Sequence, residues 1–70
     1  MTDKLKQILL DCKDAYHQYR GSKSDEDAYS FAQRRFYGYL RALMEYQQNV
    51  SNTKEYSICR KTLKFYLSKL

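Results

Sequence analysis

The residues best suited to chemistry in this sequence are one histidine, His17, and two cysteines, Cys12 and Cys59. A zinc site needs about four ligands at short spacings, and these three side chains do not supply them. A nucleophilic cysteine needs an exposed thiol beside a base, whereas both cysteines fall in the middle of apolar helical stripes. We therefore predict an exposed histidine and buried cysteines, with reduced thiols favoured and a disulfide between them left open. No catalytic residue, metal or cofactor is expected.

The rest of the sequence also argues against an enzyme. The acidic residues fall at helix starts or on solvent faces, so they form no carboxylate pair for acid–base catalysis. The sequence contains no glycine-rich phosphate loop. A chain of 70 residues buries roughly 60% of its unfolded surface, which is too little to enclose a deep pocket. We expect neither catalysis nor a small-molecule substrate.

Basic residues are concentrated in the last third of the chain. The net charge is +5, and residues 51–70 hold five basic side chains and one acidic side chain. Most of these cations fall away from the apolar stripe of a helix: Lys54, Arg60, Lys61 and Lys64. Such a surface is typical of proteins that meet phosphates, an anionic membrane or an acidic protein. A solvated helix with cations near its C-terminal end would show the same pattern.

The segment 29–41 combines tyrosines, phenylalanines and arginines. The spacing of Phe36, Tyr39 and Leu40 assigns these residues to the core. The opposite face then contains Arg34, Tyr37, Gly38 and Arg41, with Phe31 at its edge. Tyr and Arg dominate interface hot spots, and a glycine in an exposed helix interior costs about 1 kcal/mol relative to alanine. A closely packed partner would explain the glycine, so we predict a protein contact surface here; the alternative is a tyrosine-rich core with flanking solubilising arginines.

A second apolar pair lies in the last part of the chain. Ile58 and Phe65 are seven residues apart and fall roughly opposite the centre of the predicted apolar stripe. They either widen the core face or form an exposed ridge beside the cations, and such a ridge would suit a partner helix.

Apolar residues recur at steps of three and four along the whole chain, which predicts an all-α fold. The predicted helices cover about residues 3–20, 25–49 and 53–69, within a single domain of residues 1–70. The sequence has no Pro and 2 Gly, and alternation never lasts long enough to predict strands. Ser24 and Asn52 are predicted to cap the second and third helices. The predicted inward face of the third helix contains Tyr56, Cys59, Leu63, Tyr66, Leu67 and Leu70.

Two short loops between three amphipathic helices predict an antiparallel, up-down-up bundle. The central helix, at about 25 residues or roughly 37 Å, is longer than its neighbours. It either overhangs them or bends, and Gly38 is the natural position for a bend. An overhang would leave apolar surface uncovered, so we expect self-association, for example as a homodimer.

These observations favour a non-catalytic protein-interaction module. We expect a small intracellular, cytoplasmic regulator or inhibitor that dimerises or docks on a larger protein, of a size common in phages and mobile elements. The alternative is a nucleic-acid-binding protein that uses the cations of the third helix and the Arg/Tyr face of the second. A membrane-surface role for residues 54–70 ranks behind both, because the apolar arc of this basic helix is ordinary for a bundle helix and no lipidation motif accompanies it. No signal peptide and no membrane-spanning run is expected.

Overall fold

A computed structural model describes residues 2–70 of the chain; residue 1, which the predicted domain included, lies outside the described residues. Residues 2–70 form three α-helices: α1 (Asp3–Gly21), α2 (Glu26–Asn49) and α3 (Thr53–Leu67). No strand occurs within residues 2–70, so the predicted all-α fold is confirmed. The longest helix is α2, with 24 residues against 19 in α1 and 15 in α3.

Each helix starts at a polar side chain that accepts hydrogen bonds from backbone N–H groups of the first turn. Thr2 caps α1 and Asn52 caps α3, so the prediction for Asn52 is confirmed. The cap of α2 is Asp25, whose Oδ1 lies 3.1 and 3.2 Å from two backbone nitrogens. The predicted Ser24 cap is therefore wrong. A carboxylate interacts more favourably than a hydroxyl with the positive end of the helix dipole.

An aromatic cluster joins the three helices. Phe36 of α2 is fully buried, and its ring centroid lies 5.6 Å from that of Tyr16, 5.7 Å from that of Tyr19 and 5.4 Å from that of Tyr66. Tyr16 and Tyr19 belong to α1 and Tyr66 to α3, so the cluster holds all three helices together. The other buried apolar residues are Leu5, Cys12, Ala15, Ala32, Leu40, Leu43, Cys59 and Leu63.

The inward face of α3 differs from the predicted one. The prediction is right for Cys59, Leu63 and Tyr66, which are buried. Tyr56, Leu67 and Leu70 were also predicted to face inward, but they are 44%, 48% and 49% exposed. Glu55 is buried instead. The observed inward face is centred roughly 40° around the helix from the predicted one, at 100° per residue, and this rotation brings a carboxylate inside.

Candidate functional site

The outward side of α2 carries the residues predicted to contact a partner. We call Phe31, Arg34, Tyr37, Gly38 and Arg41 the α2 outer face. All five are exposed, and the exposed fractions of Phe31 and Tyr37 are 69% and 44%. The buried residues of α2 lie on the opposite side of the helix, so this face is not needed to form the core.

The side chains of the α2 outer face are held by weak contacts within the helix. The Tyr37 hydroxyl accepts a hydrogen bond of 3.2 Å from Gln33 Nε2. Arg41 Nε lies 3.7 Å from Glu45 Oε1, and both of these side chains are mostly exposed. Exposed pairs at this spacing contribute little to stability. A partner could therefore engage Tyr37 and Arg41 without breaking a contact on which the fold depends.

Gly38 lies in the middle of the α2 outer face. It is helical without a positive φ, and a Cβ atom built on it meets nothing within 4 Å. No packing among the described residues therefore requires glycine at this position. A close approach at Gly38 would have to come from another molecule.

Phe65 lies beside α1, and Ile58 lies two turns before it on the same side of α3. Ile58 is half-buried and Phe65 is 53% exposed. The Phe65 ring centroid lies 6.4 Å from that of Tyr16 in α1 and 5.3 Å from that of Tyr66. The pair is roughly 90° from the centre of the observed inward face. It flanks the core, so the expected position opposite the apolar stripe is wrong, and the pair is separate from the α2 outer face.

The cations predicted to contact anions are all exposed: Lys54, Arg60, Lys61 and Lys64. Within the described part of the chain none of them forms an ion pair. Together they span about 120° of the surface of α3. Lys54 and Lys61 are on the side of Ile58 and Phe65, whereas Arg60 is on the side of Tyr56.

The histidine and the cysteines occupy different environments. His17 is exposed, with its ring centroid 6.0 Å from that of Tyr16. Cys12 and Cys59 are buried free thiols. Burial raises the pKa of Cys12 to about 11 and also raises the pKa of Cys59, so both are protonated at neutral pH. Residues 2–70 contain no group of three or more His, Cys, Asp or Glu side chains that could hold a metal ion.

A polar network that was not predicted joins the ends of the three helices. Glu55 Oε2 accepts a hydrogen bond of 2.8 Å from Thr2 N, and Oε1 accepts one of 3.0 Å from the Tyr46 hydroxyl. These bonds, led by the one from Thr2 N, lower the pKa of Glu55 against the opposing effect of burial. The spacing of Asn52 and Glu55 resembles a capping box. This spacing predicts a structural role for Glu55 at the start of α3. The groups that donate hydrogen bonds to its carboxylate, however, belong to the other two helices.

An open groove of about 510 Å³ lies between α1 and α3. We call it the α1–α3 groove, and its lining residues are Lys6, Leu9, Leu10, Lys13, Thr62 and Tyr66. Its floor is mainly apolar, and Leu10 is 57% exposed. None of these residues was predicted to form a site. The available signal was the spacing of seven residues between Lys6, Lys13 and Arg20, next to Leu9 and Leu10.

No protein-family model, curated protein or solved structure matches the chain. No helix within residues 2–70 combines the length and apolar character needed to cross a membrane. We therefore infer the function from the exposed surfaces of the three helices.

Proposed function

We propose that this protein is a non-catalytic protein-interaction module, a small cytoplasmic regulator or inhibitor that self-associates or covers a surface of a larger protein. The observation that carries the proposal is the α2 outer face. On it the Phe31 side chain is 69% exposed, and Tyr37 lies within one helical turn of two exposed arginines. Tyrosine and arginine are enriched at interface hot spots, and grouped exposed apolar side chains mark interaction sites.

Three buried groups support the non-catalytic part of the proposal. The thiols of Cys12 and Cys59 are buried and protonated at neutral pH, whereas the reactive form of cysteine is the thiolate. Glu55 is the one buried charged residue within residues 2–70. Both of its carboxylate oxygens already accept hydrogen bonds from the protein, which suits a structural role.

An up-down-up order of the helices is part of the proposal. Contacts at both ends of the molecule support it. Tyr29 near the start of α2 donates a hydrogen bond of 2.9 Å to Tyr19 near the end of α1. Thr2 at the start of α1 contacts Tyr46 near the end of α2 and Glu55 in the first turn of α3. This order leaves the α2 outer face free for a second copy or another protein.

The test compares two double variants with matched chemistry. Tyr37→Ala/Arg41→Ala removes a tyrosine and an arginine from the α2 outer face. Tyr56→Ala/Arg60→Ala removes the same pair, at the same spacing, from α3, and both tyrosines are 44% exposed. Light scattering measures self-association, and affinity capture with quantitative mass spectrometry measures binding of other proteins.

We expect the α2 variant to lose about 30-fold in affinity, since truncation of a hot spot costs about 2 kcal/mol or more. The α3 variant should bind like the wild type, and circular dichroism should show equal helix content in all three proteins. If the two variants bind the partner or a second copy with equal affinity, the α2 outer face is not the interface. A loss confined to the α3 variant would move the interface to α3.

Nucleic-acid binding is the second candidate function, and it is favoured by the exposed cations of α3, which form no ion pair within residues 2–70. In this alternative Lys61 and Lys64 contact phosphates, while Arg34 and Tyr37 of α2 supply further contacts. Lys61→Glu/Lys64→Glu should then abolish binding to a DNA duplex. The affinity of the wild type should fall steeply with salt, because phosphate contacts release counterions. Binding that is insensitive to salt would contradict this candidate.

A further inference from the structure

The α1–α3 groove is bordered by cations on the side of α1. Lys6, Lys13 and Arg20 are spaced by seven residues, which places them along one edge of the helix at intervals of about 10.5 Å. Lys6 and Lys13 line the groove itself. Arg20 continues the same edge, with its guanidinium carbon 5.7 Å from the centroid of the Tyr16 ring.

The side of α3 is also basic. Lys69 Nζ lies 5.3 Å from the centroid of the Phe65 ring, and Phe65 contacts Tyr16 across the groove. Lys69 and Arg20 line one hollow together with Tyr16. Lys61 is exposed one turn before Phe65, on the same side of α3. The cations that line the groove itself are Lys6 and Lys13 of α1, and the cations of α3 lie outside the lining formed by Thr62 and Tyr66.

The carboxylates of α1 lie on the other edge of that helix. They form a stripe with two glutamines at steps of three and four residues: Asp3, Gln7, Asp11, Asp14 and Gln18. Gln18 accepts a hydrogen bond of 2.8 Å from Arg35 of α2, which shows that this stripe follows the α2 side. Among the described residues the lining of the groove contains Lys6 and Lys13 but no carboxylate, whereas Lys4 lies against α2.

From this arrangement we propose that the α1–α3 groove binds an amphipathic helix of a partner protein whose apolar stripe is flanked by Asp and Glu. The apolar stripe covers Leu9, Leu10 and Tyr66. One acidic flank meets Lys6 and Lys13, and the other extends past Thr62 toward Lys61 of α3. This is helix-in-groove recognition. The proposal rests on the proposed function, since it assumes a protein partner, but it uses a surface separate from the α2 outer face.

Charge and shape favour this occupant over the others. Two-fold pairing of this groove with a second copy would bring Lys6 and Lys13 of both copies into one interface, and such like-charge contacts are unfavourable. An apolar floor is a poor match for a nucleic-acid backbone, whose contacts are made through charged phosphates. A shallow groove between two helices is the geometry into which a third helix packs.

The test uses a fluorescein-labelled peptide of about 18 residues, which exceeds the distance of about 21 Å from Lys6 to Arg20 when helical. Its leucines are spaced three and four apart and flanked by glutamates. A control peptide has the same composition in an order that distributes the leucines around the helix. Fluorescence anisotropy measures binding to the full chain at about 50 mM and about 300 mM NaCl.

We expect the control peptide to bind about tenfold more weakly than the amphipathic one. Lys6→Glu/Lys13→Glu should weaken binding of the amphipathic peptide by about tenfold or more. Arg34→Glu/Arg41→Glu makes the same change in net charge on the α2 outer face and should weaken it less than about twofold. Leu10→Ser should weaken it by about fivefold, because the peptide would no longer bury that side chain. Circular dichroism should show unchanged helix content.

Equal binding of the two peptides, or an equal loss in the two charge-reversal variants, would show unspecific attraction to a basic protein and overturn the proposal. Binding of phosphatidylserine vesicles or a DNA duplex through Lys6 and Lys13, without binding of the amphipathic peptide, would also overturn it. The Tyr37→Ala/Arg41→Ala variant should bind the peptide like the wild type. The proposal for the α2 outer face and the proposal for the α1–α3 groove can therefore be refuted independently of each other.

Discussion

Replacing Gly38 with alanine tests the α2 outer face with the addition of one methyl group. Gly38 lies inside α2 without a positive φ, and a Cβ atom there meets nothing within 4 Å. The substitution therefore adds neither a clash nor backbone strain, while it reduces the conformational freedom of the unfolded chain. Because glycine in a helix interior costs about 0.8–1.0 kcal/mol relative to alanine, Gly38→Ala should stabilise the isolated chain by about that amount.

Thermal and urea unfolding, followed by circular dichroism, measure this gain. For a domain of this size, about 1 kcal/mol corresponds to an increase in Tm of about 4–8 °C. Gly21→Ala is the matched control, since its Cβ also meets nothing within 4 Å. Gly21 is the last residue of α1, where helices fray, so its substitution should increase Tm by less than half as much.

An unchanged or lower stability of Gly38→Ala would refute the interpretation that the α2 outer face is open in the free protein. It would mean that another chain packs against Gly38, and the Tm of the wild type should then rise with protein concentration. A variant that is more stable but associates more weakly would place the contact surface at Gly38.

Three further predictions concern the core, the thiols and the helix ends. Phe36→Ala should cost about 3–5 kcal/mol, which is a large part of the stability expected at about 0.05–0.15 kcal/mol per residue. Circular dichroism should show loss of cooperative unfolding in this variant but not in Phe36→Leu; a cooperative Phe36→Ala would contradict the central position of the ring. Cys12 and Cys59 should react slowly with a thiol reagent at about pH 8 in the native protein and rapidly in guanidinium chloride, because burial raises the pKa of both thiols. The pKa of Glu55 is lower in the folded protein than in the unfolded chain. Its contribution to the free energy of unfolding is therefore complete above the unfolded pKa and is lost as the pH falls through the folded pKa. Urea midpoints at about pH 7 and about pH 3 should therefore differ less in Glu55→Gln than in the wild type, and an equal difference would contradict this role.

The inward faces of α1 and α2 follow from the sequence because each helix has one clear apolar stripe. Leu5 and Cys12 in α1, like Phe36 and Leu40 in α2, are buried where periodicity places them. In α3 the apolar residues surround more of the helix, so periodicity alone does not select one direction of burial. That ambiguity explains why Tyr56 was predicted to face the core and is exposed.

The two candidate surfaces differ in how far they could be predicted. The α2 outer face is the reverse of one helix, so the assignment of Phe36 and Leu40 to the core is enough to locate it. The α1–α3 groove requires two helices that are distant in the chain to lie side by side. Lys6 and Lys13 line the same groove as Tyr66 only because α1 and α3 pack side by side in the folded protein.

The burial of Glu55 depends on packing between the helices and could not be predicted from the local sequence pattern. Short-range spacing accounts for the three helices and for the cap at Asn52, since these depend on residues a few positions apart. A buried carboxylate is costly unless hydrogen bonds compensate for lost water. The groups that compensate Glu55 belong to Thr2 and Tyr46, 53 and 9 residues away in the chain. Assembly of the three helices brings these donors together, and it thereby selects which side of α3 faces the core.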